Sequence, residues 1–280
     1  MRFDRTKYEF LMACEKEKEE RLRALENIEF PKDFPILQNS AVVVFGSTAH
    51  GLCFLESDID ICTIYDDRGV QRSVFRKERK DFMKRRKELE KIVRAKKDVE
   101  SIFKCGRLGS ILLSKSGKRI SHAVSNGIKF LYSYCISGQN KFEEYRSIFF
   151  DSCRKTTNLD KIFLMQRGVN NCFTELKKDY SKTVLKPKIL RNSVLFLSQA
   201  LKVEHLKEKG SPSFVDTVED LVTLGKLEEN DALLFCEAME RSLSLQEEIG
   251  LKEKPTKIDS ADKALIQWVL EFHEDTVERC

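Results

Sequence analysis

Apolar and polar positions divide the chain into an alternating front half and a helical back half. From Tyr8 to Asn27, apolar residues recur at helical spacing (Phe10, Leu11 and Cys14, then Leu22 and Leu25) within dense charge. That pattern predicts a surface helix, ended by Pro31 and Pro35. The run Ala41-Val42-Val43-Val44-Phe45 is short, apolar and mostly β-branched, as a buried strand requires, and it leads directly into Gly46-Ser47. From Ser57 the pattern alternates, with Ile59, Ile61 and Thr63 on one face and Asp58, Asp60 and Cys62 on the other, so a second strand is expected. Between Arg68 and Lys97, 14 Lys/Arg stand against 4 Asp/Glu, with Phe75, Phe82, Leu89 and Val93 as an apolar stripe. This is a basic helix. Arg107 to Ile120, with Gly109, Ile111-Leu112-Leu113 and a Ser116-Gly117 turn, predicts more strand. Beyond about Gly127 the helical period dominates. Helices are expected over Phe163–Tyr180, Ile189–Lys207, Val215–Leu224 and Ala232–Ile249, and around Leu265, Trp268 and Phe272, with no further strand.

The resulting fold class is α+β, a mixed sheet with flanking helices followed by a helical bundle. The boundary is expected near residue 150, giving domains 1–150 and 151–280. Hydrophobic residues at 41% and charged residues at 34% fit a globular chain and exclude disordered or collagen-like classes. No apolar run approaches the roughly 20 residues of a membrane helix, and the first twenty residues lack the apolar core of a signal peptide, so a cytoplasmic protein is expected. Nine cysteines without CxxC or zinc-ligand spacing read as reduced thiols. His122, His205 and His273 have no partner at ligand spacing and read as surface or packing residues.

The candidate chemistry lies between Gly46 and Asp60. Two acids at i and i+2 on a strand project from one face, so Asp58 and Asp60 are placed to hold Mg²⁺ (or Mn²⁺) together. Gly46-Ser47, directly after a buried strand, lets backbone approach a triphosphate closely and offers N–H groups and a hydroxyl as donors. Phosphoryl transfer needs little more from a protein than charge neutralisation and alignment of the reacting oxygens. Either element alone reads as a turn or a solvated strand edge; the ordered combination is specific.

The stretch GSTAHGLCFLESDIDI resembles the signature of the polymerase-β-like nucleotidyltransferases, a Gly-Ser pair preceding an Asp-x-Asp strand. More narrowly, Leu131–Arg146, Leu185–Asn192 and Asp216–Leu251 resemble the transferase portion of the uridylyltransferase of the nitrogen-signalling protein PII and its shorter relatives. The resemblance implies a polymerase-β-like domain in which Gly46 and Ser47 hold a nucleoside triphosphate while Asp58 and Asp60 hold metal and carry catalysis. His50, Tyr132, Tyr134 and Asn192 depart from that pattern. The family commonly adds a third acid on a neighbouring strand; the candidates are Asp151 and then Glu100. Lys186 and Arg191 are candidates for triphosphate or acceptor contact, set against a structural role at a helix start.

The function expected is metal-dependent transfer of a nucleoside monophosphate from an NTP, of uridylyl- or adenylyltransferase type, to a protein or small-molecule acceptor, with no membrane partner. The alternatives are terminal addition to RNA, motivated by the basic helix, and a nucleotide-binding regulator without turnover.

Overall fold

The computed structural model describes residues 5–26, 28–108, 126–127, 129–153, 159–203, 212–250 and 254–279. Of the strand structure expected over Arg107 to Ile120, residues 109–120 lie outside them, as do His122 and His205. Two compact units are present, one spanning Cys14–Thr156 and the other combining Met1–Ala13 with Thr157–Cys280.

The first unit is built on a four-stranded sheet of order β3-β2-β1-β4. Its strands are β1 (Ser40–Phe45), β2 (Ile59–Tyr65), β3 (Ser101–Arg107) and β4 (Tyr134–Ser137). β1 pairs antiparallel with β2 and β4, and β2 pairs parallel with β3. The alternation read from the sequence decides which face of β2 is covered. Ile59 and Ile61, with Val42, Val44 and Phe103, pack beneath helices α1 (Glu9–Leu25), α2 (Pro35–Gln38) and α4 (Arg72–Lys96). Phe75, Phe82, Leu89 and Val93 are the part of α4 that packs there, which leaves most of its basic residues to solvent and surface ion pairs. On the opposite face, Ala41, Val43 and Ile64 pack with Phe142 and Tyr145 of α5 (Gln139–Cys153).

β4 was not expected, because the helical period dominates the sequence beyond Gly127. Four partly exposed residues, Tyr-Cys-Ile-Ser, carry too little alternation to be seen, and a register shift between Val42 and Val43 obscures it further.

The second unit is helical: α6 (Leu159–Leu164), α7 (Arg167–Ser181), α8 (Pro187–Val203), α9 (Phe214–Thr223), α10 (Glu229–Ile249) and α11 (Ser260–Arg279). The single helix expected over Phe163–Tyr180 is broken at Gln166. Its side-chain oxygen accepts from the amides of Gly168 and Val169, so it caps a new helix. A two-residue ladder, β5 (Val184–Leu185) with β6 (Thr256–Lys257), is also present where no strand was expected. Trp268 packs edge-on to Phe235 and tilted against Phe272, as the spacing suggested. Residues 5–13 make polar contacts within this unit. Arg5 pairs with Asp216 and Glu219, and the Glu240 carboxylate accepts from the Phe10 and Leu11 amides at 2.8 and 2.9 Å, satisfying the first turn of α1. Among the described residues no helix is long and apolar enough to cross a membrane.

Candidate active site

The turn after β1 has a local cause. Gly46 adopts φ 72° and ψ −150°, a conformation essentially restricted to glycine, and from it the four-residue helix α3 (Ser47–His50) begins. Gly51 closes α3 in the left-handed region at φ 66°, the usual C-terminal stop. The register then pairs Phe45 with Asp60, so the Gly46-Ser47 step emerges beside the strand that carries the acids. A side chain on Gly46 would begin 2.8 Å from Asp60 Oδ2. Asp60 therefore occupies space beside Gly46 that a Cβ at position 46 would need.

Asp58 lies one residue before β2, whose ladder is extended by the Ile59 amide donating to the Glu100 carbonyl at 2.8 Å. The segment from α3 to Asp58 is held by a residue the sequence reading passed over. Arg21 of α1 is fully buried and donates from Nη2 to the carbonyls of Phe54 and Leu55 at 2.7 and 2.9 Å, and from Nη1 to that of Ser57 at 2.8 Å. Nη1 also reaches Thr48 Oγ1 at 3.4 Å, and Nε pairs with Glu17 at 2.6 Å. One guanidinium thus fixes both α3 and the turn that delivers Asp58. A charged helix with i,i+4 pairs looks solvated in sequence, and only an Arg facing the same side as Leu11, Cys14 and Leu25 hinted otherwise.

The position beside Asp60 on β3 is also unexpected. In the parallel register Asp60 pairs with Ile102 and Cys62 with Lys104, so Ile102, Lys104 and Gly106 share the face of the acids. Lys104 Nζ donates to Asp60 Oδ1 at 2.7 Å and lies 4.8 Å over the Phe45 ring. The neighbouring strand thus presents a cation to Asp60 rather than a third carboxylate. Among the described residues no three His, Cys, Asp or Glu are grouped to hold a metal ion. Glu100 precedes β3, and Asp151 is exposed near the end of α5. Cys62, beside Asp60 on this face, has its thiol pushed up to about 12, by burial first and by nearby Cys105 second.

His50 is buried, its ring 6.0 Å from that of Tyr132. Lys186 and Arg191 belong to the helical unit, where Lys186 pairs with Glu175 at 3.1 Å and Arg191 donates to Gln246 at 3.0 Å.

A buried strand thus leads into a glycine-limited turn with one of the two acids, Asp60, beside it. Residues 27–120 match the family described as the nucleotidyltransferase domain. The match covers β1, α3, β2 and β3, and it stops short of residues 131–251, on which the narrower likeness to PII uridylyltransferase rested. No curated protein matches the chain. The nucleotidyltransferase domain supports general nucleotidyl transfer with an NTP as substrate, and the elements that frame Gly46 and Asp60 all lie within it.

Proposed function

We propose that the chain transfers a nucleoside monophosphate from a nucleoside triphosphate to a hydroxyl or amine of a protein or small molecule. One observation supports this reading: the Asp60 carboxylate lies beside Gly46, its Oδ2 2.8 Å from where a Cβ at position 46 would stand. Gly46 and Ser47 seat the triphosphate through backbone amides and the Ser47 hydroxyl. Asp58 and Asp60 supply the hard oxygen ligands.

That donor set fits one Mg²⁺ or Mn²⁺ carried in with the nucleotide, the remaining positions being filled by phosphate and water. It does not fit two, since the third place beside Asp60 is taken by Lys104. Bound there, the ion would offset charge on the triphosphate. The acceptor atom forms a bond to the α-phosphorus, the α–β phosphoanhydride bond breaks, pyrophosphate leaves with the electron pair, and the acceptor proton is lost to water. Arg21 holds the Asp58 segment in place during this step. To residues 151–280 we assign an accessory, acceptor-recognising role.

The test is incubation with each labelled NTP, Mg²⁺ and cell extract. An acceptor should become labelled, and Asp58→Ala with Asp60→Ala should abolish the label; unchanged labelling removes the proposed site. A second reading, nucleotide binding without turnover, is favoured by the Lys104–Asp60 ion pair, which occupies one of the two acids. Nucleotide binding without pyrophosphate release for any acceptor would select that reading, and release abolished by Asp60→Ala would exclude it.

A further inference from the structure

On the Asp60 face of the sheet, around the β3 edge, lies a cavity of about 450 Å³. Among the described residues its floor is apolar, with Val43 and Ile64, and its polar lining includes Arg79, Lys104, Arg107 and Lys129 but no Asp or Glu. Two of these cations have acid partners: Lys104 with Asp60 at 2.7 Å and Arg107 with Asp67 at 3.8 Å. Arg79 and Lys129 have no carboxylate at ion-pair distance among the described residues. Both side chains are largely exposed to water, so the missing partners cost little; it is the set of four cations with no acid in the lining that makes the cavity electropositive and favours an anion there. Although its side chain is exposed overall, Lys129 is held below the usual lysine range, by burial of part of the side chain first and by Lys104 second, against a smaller opposing pull from Asp60.

We propose that this cavity is a phosphate subsite that takes a small molecule bearing a phosphate monoester, separate from the seat of the NTP at Gly46-Ser47. Charge and size select the ligand class. A monoester carries about −1.5 to −2 at neutral pH, matching two unpaired cations, whereas each backbone diester of a nucleic acid carries −1. The volume lies in the small-molecule range of roughly 300–1,000 Å³. The role of this ligand as the phosphorylated acceptor, anchored beside Asp60, rests on the nucleotidyl-transfer reading; the subsite itself does not.

The experiment is calorimetric titration of the full chain with ribose 5-phosphate, in the absence and presence of saturating Mg²⁺ and a non-hydrolysable NTP. Parallel arms use inorganic phosphate and a short oligonucleotide lacking terminal phosphates. Ribose 5-phosphate should bind whether or not the nucleotide is present. Arg79→Gln and Lys129→Gln should each weaken it about tenfold, as loss of a charge-assisted contact does, with Arg79→Lys restoring part of the affinity and NTP affinity unchanged. Circular dichroism of each variant separates loss of fold from loss of contact. Ribose 5-phosphate binding that ignores both substitutions, competes with the NTP one for one, or is surpassed by the unphosphorylated oligonucleotide overturns the proposal. Ribose 5-phosphate binding that depends on Arg79 and Lys129 in a protein that binds no NTP would sustain the subsite and overturn the proposed function instead.

Discussion

Replacing Arg21 by Met tests whether one buried cation organises the site. The side chain is 0% exposed and donates to three carbonyls in the segment Phe54–Ser57, so removing it leaves those acceptors without their charged donor. It also strips Glu17, whose side chain is 12% exposed, of its partner at 2.6 Å; Lys97 at 3.4 Å compensates only in part. Breaking a buried pair from one side costs about 3–5 kcal/mol, and the orphaned carbonyls lie within that total because such losses are not additive. Against a typical stability of roughly 5–15 kcal/mol the change is large, and it should lower Tm by on the order of 10 °C. Thermal and urea unfolding of wild type, Arg21→Met, Glu17→Gln and the double variant would show it. Glu17→Gln should cost less, since Arg21 keeps its carbonyls, and the double variant should recover part of the Arg21→Met loss. Below the melting range, Arg21→Met should also weaken NTP binding more than Glu17→Gln does. An Arg21→Met protein within 1 kcal/mol of wild type, or one with undiminished NTP affinity, would refute the clamp.

Gly46→Ala forces a left-handed φ on a residue with a Cβ and brings that carbon 2.8 Å from Asp60 Oδ2, so NTP affinity should fall about tenfold or more, measured by calorimetry. Lys104→Asp removes the cation on Asp60 and adds an acid on the same face. Mn²⁺ affinity followed by electron paramagnetic resonance should rise about tenfold, while the ion-free protein loses stability to like-charge repulsion. The His273 ring stacks 3.7 Å from that of Phe173 and is held below the usual histidine range by burial first and Lys177 second, with Glu274 opposing. The unfolded chain therefore binds this proton more readily, so the stability is complete above about pH 6.5 and is lost as pH falls below it towards the lower folded-state value. Melting curves from pH 5 to 7.5 should show a rise in Tm that His273→Phe flattens; an unchanged slope would count against the assignment.

Much of the site's frame was legible along the chain. The Val-rich run of β1, the alternation of β2 and the glycine-limited turn between them are set by near neighbours, through backbone sterics and side-chain period. So is the placing of Asp58 and Asp60 two positions apart. The long helices were legible for the same reason, while the break at Gln166 was not, because a glutamine cap competes weakly in any local pattern. Three features of the site depended on distant partners. Lys104 meets Asp60 only because β3 returns parallel to β2 across some forty residues, and a shift of one residue in that register would turn Lys104 to the other face. Arg21 is a clamp only because the turn at Phe54–Ser57 covers it; otherwise its pairing with Glu17 is an ordinary surface contact. The cluster of Arg79, Lys104, Arg107 and Lys129 around one cavity exists only once α4, β3 and the approach to β4 come together. Local sequence sets backbone shape and side-chain facing, but solvation and charge balance are properties of the neighbours folding brings in, and these the tertiary structure alone decided.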